Sequence, residues 1–137
     1  LISMVEYKSN FNLEERTASY SKLVIDLSKD LVRDLESNIF RKQLVRSGTS
    51  VGANYIEANE AFSDKDFLYR LRICRKEAKE SDYWLKLIKH SCLGYNTKEI
   101  NNDIDALIDE TNQLIKIFST IILNKEKQLN QQEGSKS

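Results

Sequence analysis

The chain has 137 residues, 40% hydrophobic and 31% charged, with 21 basic and 21 acidic side chains and a formal net charge of zero. That length fits one domain, and the neutral balance removes the simplest electrostatic argument for nucleic acid, a domain with a pI above about 9. There is no proline and there are four glycines, Gly48, Gly52, Gly94 and Gly134, so the punctuation that bounds short strands is nearly absent and the chain reads as all helix.

Leu13, Tyr20, Val24, Leu27, Leu31 and Leu35 recur at spacings of three, four and seven, the stripe of an amphipathic first helix from about Leu13 to Leu35. Ser37 or Asn38 offers a short side-chain oxygen to cap a second helix, which should run to about Phe62. Ser63 followed by Asp64 and Asp66 is a start signal for a third helix, with acidic residues where the helix dipole favours them. Its stripe is Phe67, Leu71, Cys74, Ala78, Ser81, Leu85 and Ile88, and Gly94 stops it. Thr97 opens a fourth helix with the stripe Ile100, Ile104, Leu107, Leu114, Phe118 and Ile121, widened by Ile108, Ile115 and Ile122. Short connections make sequential helices antiparallel neighbours, so residues 13–124 are expected to form an up-down-up-down four-helix bundle. Residues 125–137 are almost wholly polar and are expected to fray or be disordered.

Cys74 and Cys92 fall on one helix, eighteen residues apart, or about 27 Å, too far to bond to each other. With no secretory apolar segment and no apolar run near membrane-spanning length, a soluble protein of a reducing compartment, the cytoplasm, is expected. The neutral charge is unevenly spread. Ser37 to His90 carries 11 basic against 7 acidic residues, while Leu13–Glu36 and Thr97–Asn124 together carry 6 against 11. Solvated faces and pairing between neighbouring helices account for most such patterns.

Three constellations stand out. Gly48 and Gly52 lie one turn apart among Ser47, Ser50, Ala53 and Asn54. A mid-helix glycine costs about 1 kcal/mol relative to alanine, so two of them point to close approach of another helix, within the chain or between chains. The third helix carries a second face, Tyr69, Ile73, Glu80, Trp84 and Leu87, more apolar surface than one bundle member needs; with the glycines it marks candidates for a contact between copies. Ser50, Asn54 and Glu57 form a polar strip opposite Arg72, Lys76 and Glu80, a candidate seam that would fix register if Glu57 meets Arg72 or Lys76.

Chemistry is harder to find. Glu57-x-x-Glu60 and Glu77-x-x-Glu80 invite a di-iron reading, but that site needs Glu-x-x-His pairs, and the only histidine is His90. His90 and Cys92 are two apart on a helix and point in different directions. No phosphate loop, nucleophile elbow or CxxC is present. The expectation is a protein that is not an enzyme and holds no cofactor or metal.

The stretches SGTSVGANYIEANEAFSDKDF, from Ser47, and RKEAKESDYWLKL, from Arg75, resemble the bacterial four-helix-bundle family encoded in intervening sequences of large-subunit ribosomal RNA genes. The resemblance covers roughly residues 13–124. It implies a homo-oligomer, a five-fold ring with a central channel, of uncertain cellular role, with a scaffold linked to ribosomal RNA insertions as the first reading. A related branch serves as accessory protein of diversity-generating retroelements, engaging reverse transcriptase and nucleic acid. Such a role would use Arg41, Lys42, Arg46, Arg70, Arg72, Arg75, Lys76 and Lys79. Those accessory proteins are strongly basic and this chain is neutral.

Overall fold

A computed structural model describes residues 12–92 and 94–135, which contain four helices and no strand. These are α1 (Leu13–Asp30), α2 (Leu35–Asn59), α3 (Asp64–Ser91) and α4 (Lys98–Ser135). Consecutive helices pack on each other and α1 closes on α4, the sparsest of the four contacts. Cross-helix partners fix the directions. Ser47 meets Ser81 while Asn54 meets Arg70, and Asn112 meets Asp82 while Glu126 meets Arg72. One residue number falls as the other rises at each seam, so the fold is the antiparallel all-α bundle that the four stripes imply.

Four helix boundaries differ from those the sequence suggests. α1 stops at Asp30 and Leu35 is 71% exposed, because Asp34 caps α2 by accepting the Ser37 N–H at 2.9 Å. That bond, and then the Ser37 side chain, hold the Asp34 carboxyl below its usual range. Ser37, one of the two expected caps, is instead buried with its hydroxyl 3.2 Å from the Cys92 thiol. α2 ends at Asn59, three residues short of Phe62, and Phe62 stands fully exposed in the turn to α3. α4 continues past Asn124 to Ser135. Lys125 pairs with Asp64 at 3.3 Å, Glu126 with Arg72 at 2.8 Å, and Leu129 packs on the core edge, so α3 supports the first turns of a segment too polar to bury by itself.

The Ser63, Thr97 and Gly94 signals are realised as written, and Asn12, which the stripes did not mark, caps α1. Asn12, Ser63 and Thr97 each accept a backbone N–H three residues on, at 2.8, 3.1 and 3.2 Å. Gly94 has φ 92° in the turn after α3, where the Cys92 carbonyl accepts from Tyr95; a side chain would be strained at that φ. Tyr20, Val24, Leu27 and Leu31 of the first stripe meet Leu44 and Val51, Leu71 to Ile88, and Ile104 to Ile122 in one core.

Candidate interaction surface

The two edges of the bundle that flank α1 and α2 are built differently. Between α1 and α4 the seam is polar and sealed. Arg16 forks onto Glu110 at 2.5 and 2.8 Å, and reaches the Gln113 side chain at 3.2 Å; the Glu110 side chain is 0% exposed and that of Arg16 14%. One turn along, Thr111 donates to the Leu107 carbonyl at 2.6 Å, leaving its oxygen to accept from the Tyr20 hydroxyl, also at 2.6 Å. Burial pushes the Tyr20 phenol far above its ordinary range. Among the described residues no buried side-chain nitrogen or oxygen lacks a partner.

The α2/α3 seam is the one the sequence marks most strongly. At its inner side Ser81 Oγ lies 2.8 Å from Ser47 Oγ and 2.9 Å from the Glu77 carbonyl, and Cys74 donates to the Val51 carbonyl at 3.5 Å. Burial raises the Cys74 thiol to about 12, so it stays protonated and inert as a nucleophile. At the outer side Trp84 stacks on Phe40 with ring centroids 6.1 Å apart, meets the Tyr83 edge at 5.1 Å, and donates its indole N–H to Glu80 at 3.2 Å. Around that half-buried stack Leu35, Ile39 and Tyr83 are 71, 51 and 56% exposed. Leu87, one turn from Tyr83, is half-buried. Ring contacts link Phe40, Trp84 and Tyr83, with Leu35 and Ile39 one turn apart on α2 and Leu87 one turn from Tyr83 on α3, where α2 begins and α3 ends.

Several residues singled out by the sequence sit elsewhere. Gly48 and Gly52 are buried and face α1, not an outer surface. A Cβ on Gly48 would stand 3.0 Å from both Val24 methyls, and one on Gly52 3.3 Å from the Thr17 carbonyl oxygen. Their smallness lets α1 lie close on α2 within the chain, which corrects their place among contacts between copies. Tyr69, 60% exposed, and half-buried Ile73 lie nearer the opposite end of α3 from Trp84 and Leu87, so the second face is split along its length.

The proposed polar seam is also redistributed. Arg72 points to α4 and pairs with Glu126, two residues beyond Arg70 and hence on another side of the helix, while Glu57 and Lys76 are exposed. What joins α2 to α3 is Arg70 donating to Asn54 at 3.3 Å, and Arg46 pairing with Glu80 and, at 3.3 Å, with Glu77. Ser50 bonds only locally, to the Arg46 carbonyl at 2.7 Å.

The eight basic residues therefore do not make one surface. Arg41 donates to the Ser28, Leu31 and Val32 carbonyls at 2.9, 3.4 and 2.9 Å, satisfying acceptors at and just beyond the end of α1. Arg46, Arg70 and Arg72 are held by the partners just named. Arg75 is half-buried on the α4 side, and Lys42, Lys76 and Lys79 are exposed. Among the described residues no group of His, Cys, Asp and Glu could hold a metal ion, and no helix is long and apolar enough to cross a membrane.

Sequence reasoning missed Arg16–Glu110 and Tyr20–Thr111, although a signal existed. The first stripe skips from Leu13 to Tyr20 and the fourth from Leu107 to Leu114, so Arg16 and Thr17, and Glu110 and Thr111, occupy core positions of their helices. Two polar gaps of the same length in stripes that pack together predict a buried polar contact.

The chain is an antiparallel all-α four-helix bundle with an aromatic cluster at its α2/α3 edge. The family model for 23S rRNA-intervening sequence proteins matches residues 10–117, and the chain belongs to that family. It is also similar to a crystal structure from Bacteroides thetaiotaomicron, a protein of unknown function from the S23 ribosomal protein family. The two share 32% identity with a TM-score of 0.70, over 81% of this chain and 98% of the other. The comparison with curated proteins finds no match.

Proposed function

We propose that this chain is a non-enzymatic, self-associating helical protein whose contact edge is α2/α3, and that it serves as a cytoplasmic scaffold in the setting its family description names, a ribosomal RNA intervening sequence. The observation that carries this reading is the exposed apolar group Leu35, Ile39 and Tyr83 around the Phe40–Trp84 stack. Contiguous apolar patches on a soluble bundle mark interaction sites, whereas isolated exposed apolar groups do not. Aromatic side chains supply much of the energy of such contacts, and burying one contributes about 1.5 to 3 kcal/mol. A ring of five follows only from the family resemblance. Sedimentation of the unmodified chain tests the reading: a mass above the 15.9 kDa monomer is expected at tens of micromolar, and a monomer there would end it.

A second reading, an accessory protein that binds nucleic acid alongside a reverse transcriptase, draws on exposed Lys42, Lys76 and Lys79. Its support is weaker, because four of the eight candidate basic residues already bond to carbonyls, carboxylates or an amide oxygen inside the chain. RNA binding that weakens steeply with salt would favour it over the first reading.

A further inference from the structure

Trp84 is held from two directions. The Phe40 ring lies at 28° to the indole and the Tyr83 ring at 68°, and these contacts set the plane of the indole. They leave open which way round it lies, because the last side-chain torsion of tryptophan is broad and roughly two-fold, and turning the ring over keeps its plane. That choice falls to Glu80, one turn before Trp84 on the same side of α3, whose carboxylate accepts the indole N–H at 3.2 Å. Glu80 is in turn held by α2. Arg46 donates from Nε to the Gln43 side-chain oxygen at 3.0 Å, and its two terminal nitrogens go to Glu77, at 3.3 Å, and to Glu80. Glu77, with a side chain 11% exposed, already gives the guanidinium one carboxylate. Glu80 is a second, and it is the one that carries the indole.

We infer that Glu80, anchored by Arg46, is the positioning residue of the aromatic edge: it fixes the orientation of Trp84 and takes up its N–H before anything docks there. This rests on the self-association proposed above and adds how the edge is prepared for it. A tryptophan N–H needs a partner once the ring is covered. Here the partner comes from the same helix, so closing a contact over Trp84 strands no donor. A side chain fixed beforehand also loses less freedom when the contact forms.

The test uses three variants of the full chain. Glu80→Leu removes the acceptor, Glu80→Gln keeps an acceptor oxygen without the charge, and Arg46→Met leaves the carboxylate without its anchor. Leu, Gln and Met all favour helix, and the Arg46 and Glu80 side chains are 47 and 33% exposed, so the fold should hold, which melts check. Arg46→Met carries the test if Glu80→Leu does not fold. Trp84 is the only tryptophan, so the anisotropy decay and acrylamide quenching of its fluorescence read this side chain alone. Both are recorded on chain diluted to the monomer, apart from any assembly. Glu80→Leu should raise the amplitude of fast indole motion and the quenching, Glu80→Gln should bring both back toward the unmodified chain, and Arg46→Met should fall between. In sedimentation, Glu80→Leu should need about tenfold more protein to assemble, the effect of one lost hydrogen bond, and Glu80→Gln should recover most of that. An indole as still and as shielded in Glu80→Leu as in the unmodified chain would overturn the positioning role and leave self-association standing. So would an indole in Glu80→Gln as loose as in Glu80→Leu, or a loosened indole with assembly unmoved. A monomeric unmodified chain would end the self-association reading instead, and the fluorescence of the diluted variants would still decide whether Glu80 orients Trp84.

Discussion

The α1/α4 and α2/α3 seams belong to one bundle and solve opposite problems. In the first, polar groups occupy core positions and point inward, with Arg16, Glu110, Tyr20 and Thr111 bonded across the seam. In the second, small side chains such as Ser47 and Ser81 hold the helices close, and the aromatic mass is displaced to the rim, where Trp84 lies on Phe40. Polar groups inside demand partners and so fix one register. Apolar groups outside demand none within the chain and leave a surface for another molecule. Under the proposed function, stability and interaction fall to different edges, and substitutions should separate them.

The largest effect is expected from Arg16→Ala. It strands the Glu110 carboxylate in a site with no water access, and breaking a buried pair from one side costs about 3 to 5 kcal/mol. A denaturant melt should show that loss; a change below about 1 kcal/mol would mean that the seam is open to solvent and the contrast is false. Gly52→Leu comes next. Its side chain must displace the Thr17 backbone, so overpacking should cost about 1 to 3 kcal/mol of monomer stability. If the melt is unchanged while assembly is lost, the glycines face a second copy after all.

Tyr20→Phe sharpens the comparison by removing one hydroxyl and little volume. It leaves Thr111 donating to Leu107, and should cost about 1 kcal/mol. Truncation after Asn124 should cost less, under about 1 kcal/mol, since the lost pairs Lys125–Asp64 and Arg72–Glu126 lie at the surface. A melt that loses its cooperativity would instead make the end of α4 part of the core.

Much of the bundle is legible in the sequence because burial imposes its period on the stripes: Leu71, Cys74, Ala78, Leu85 and Ile88 are all fully buried as their spacing requires. What escaped was set by contacts distant in sequence. The end of α1 depends on Arg41 reaching its last carbonyls and on Asp34 capping α2, and neither competes visibly with a stripe that runs on to Leu35. The glycine pair announced close approach but not whose backbone approaches, since Gly48 and Gly52 would look the same against α1 or against another chain. The candidate edge was half legible: Trp84 and Leu87 stood out by excess apolar character on α3, but Ile39, Phe40 and Leu35 come from α2 and join them only in three dimensions.

Trp84 is the only tryptophan in the chain, so its fluorescence reports on the α2/α3 edge alone. Acrylamide quenching measured across a concentration series, alongside sedimentation, tests whether this edge is where copies meet. The account predicts that quenching falls as mass rises, with the two changes sharing one midpoint, and that Ile39→Asp removes both while shifting the melt by no more than about 0.5 kcal/mol. Mass that rises with no change in the quenching of Trp84 would place the contact elsewhere and contradict the account.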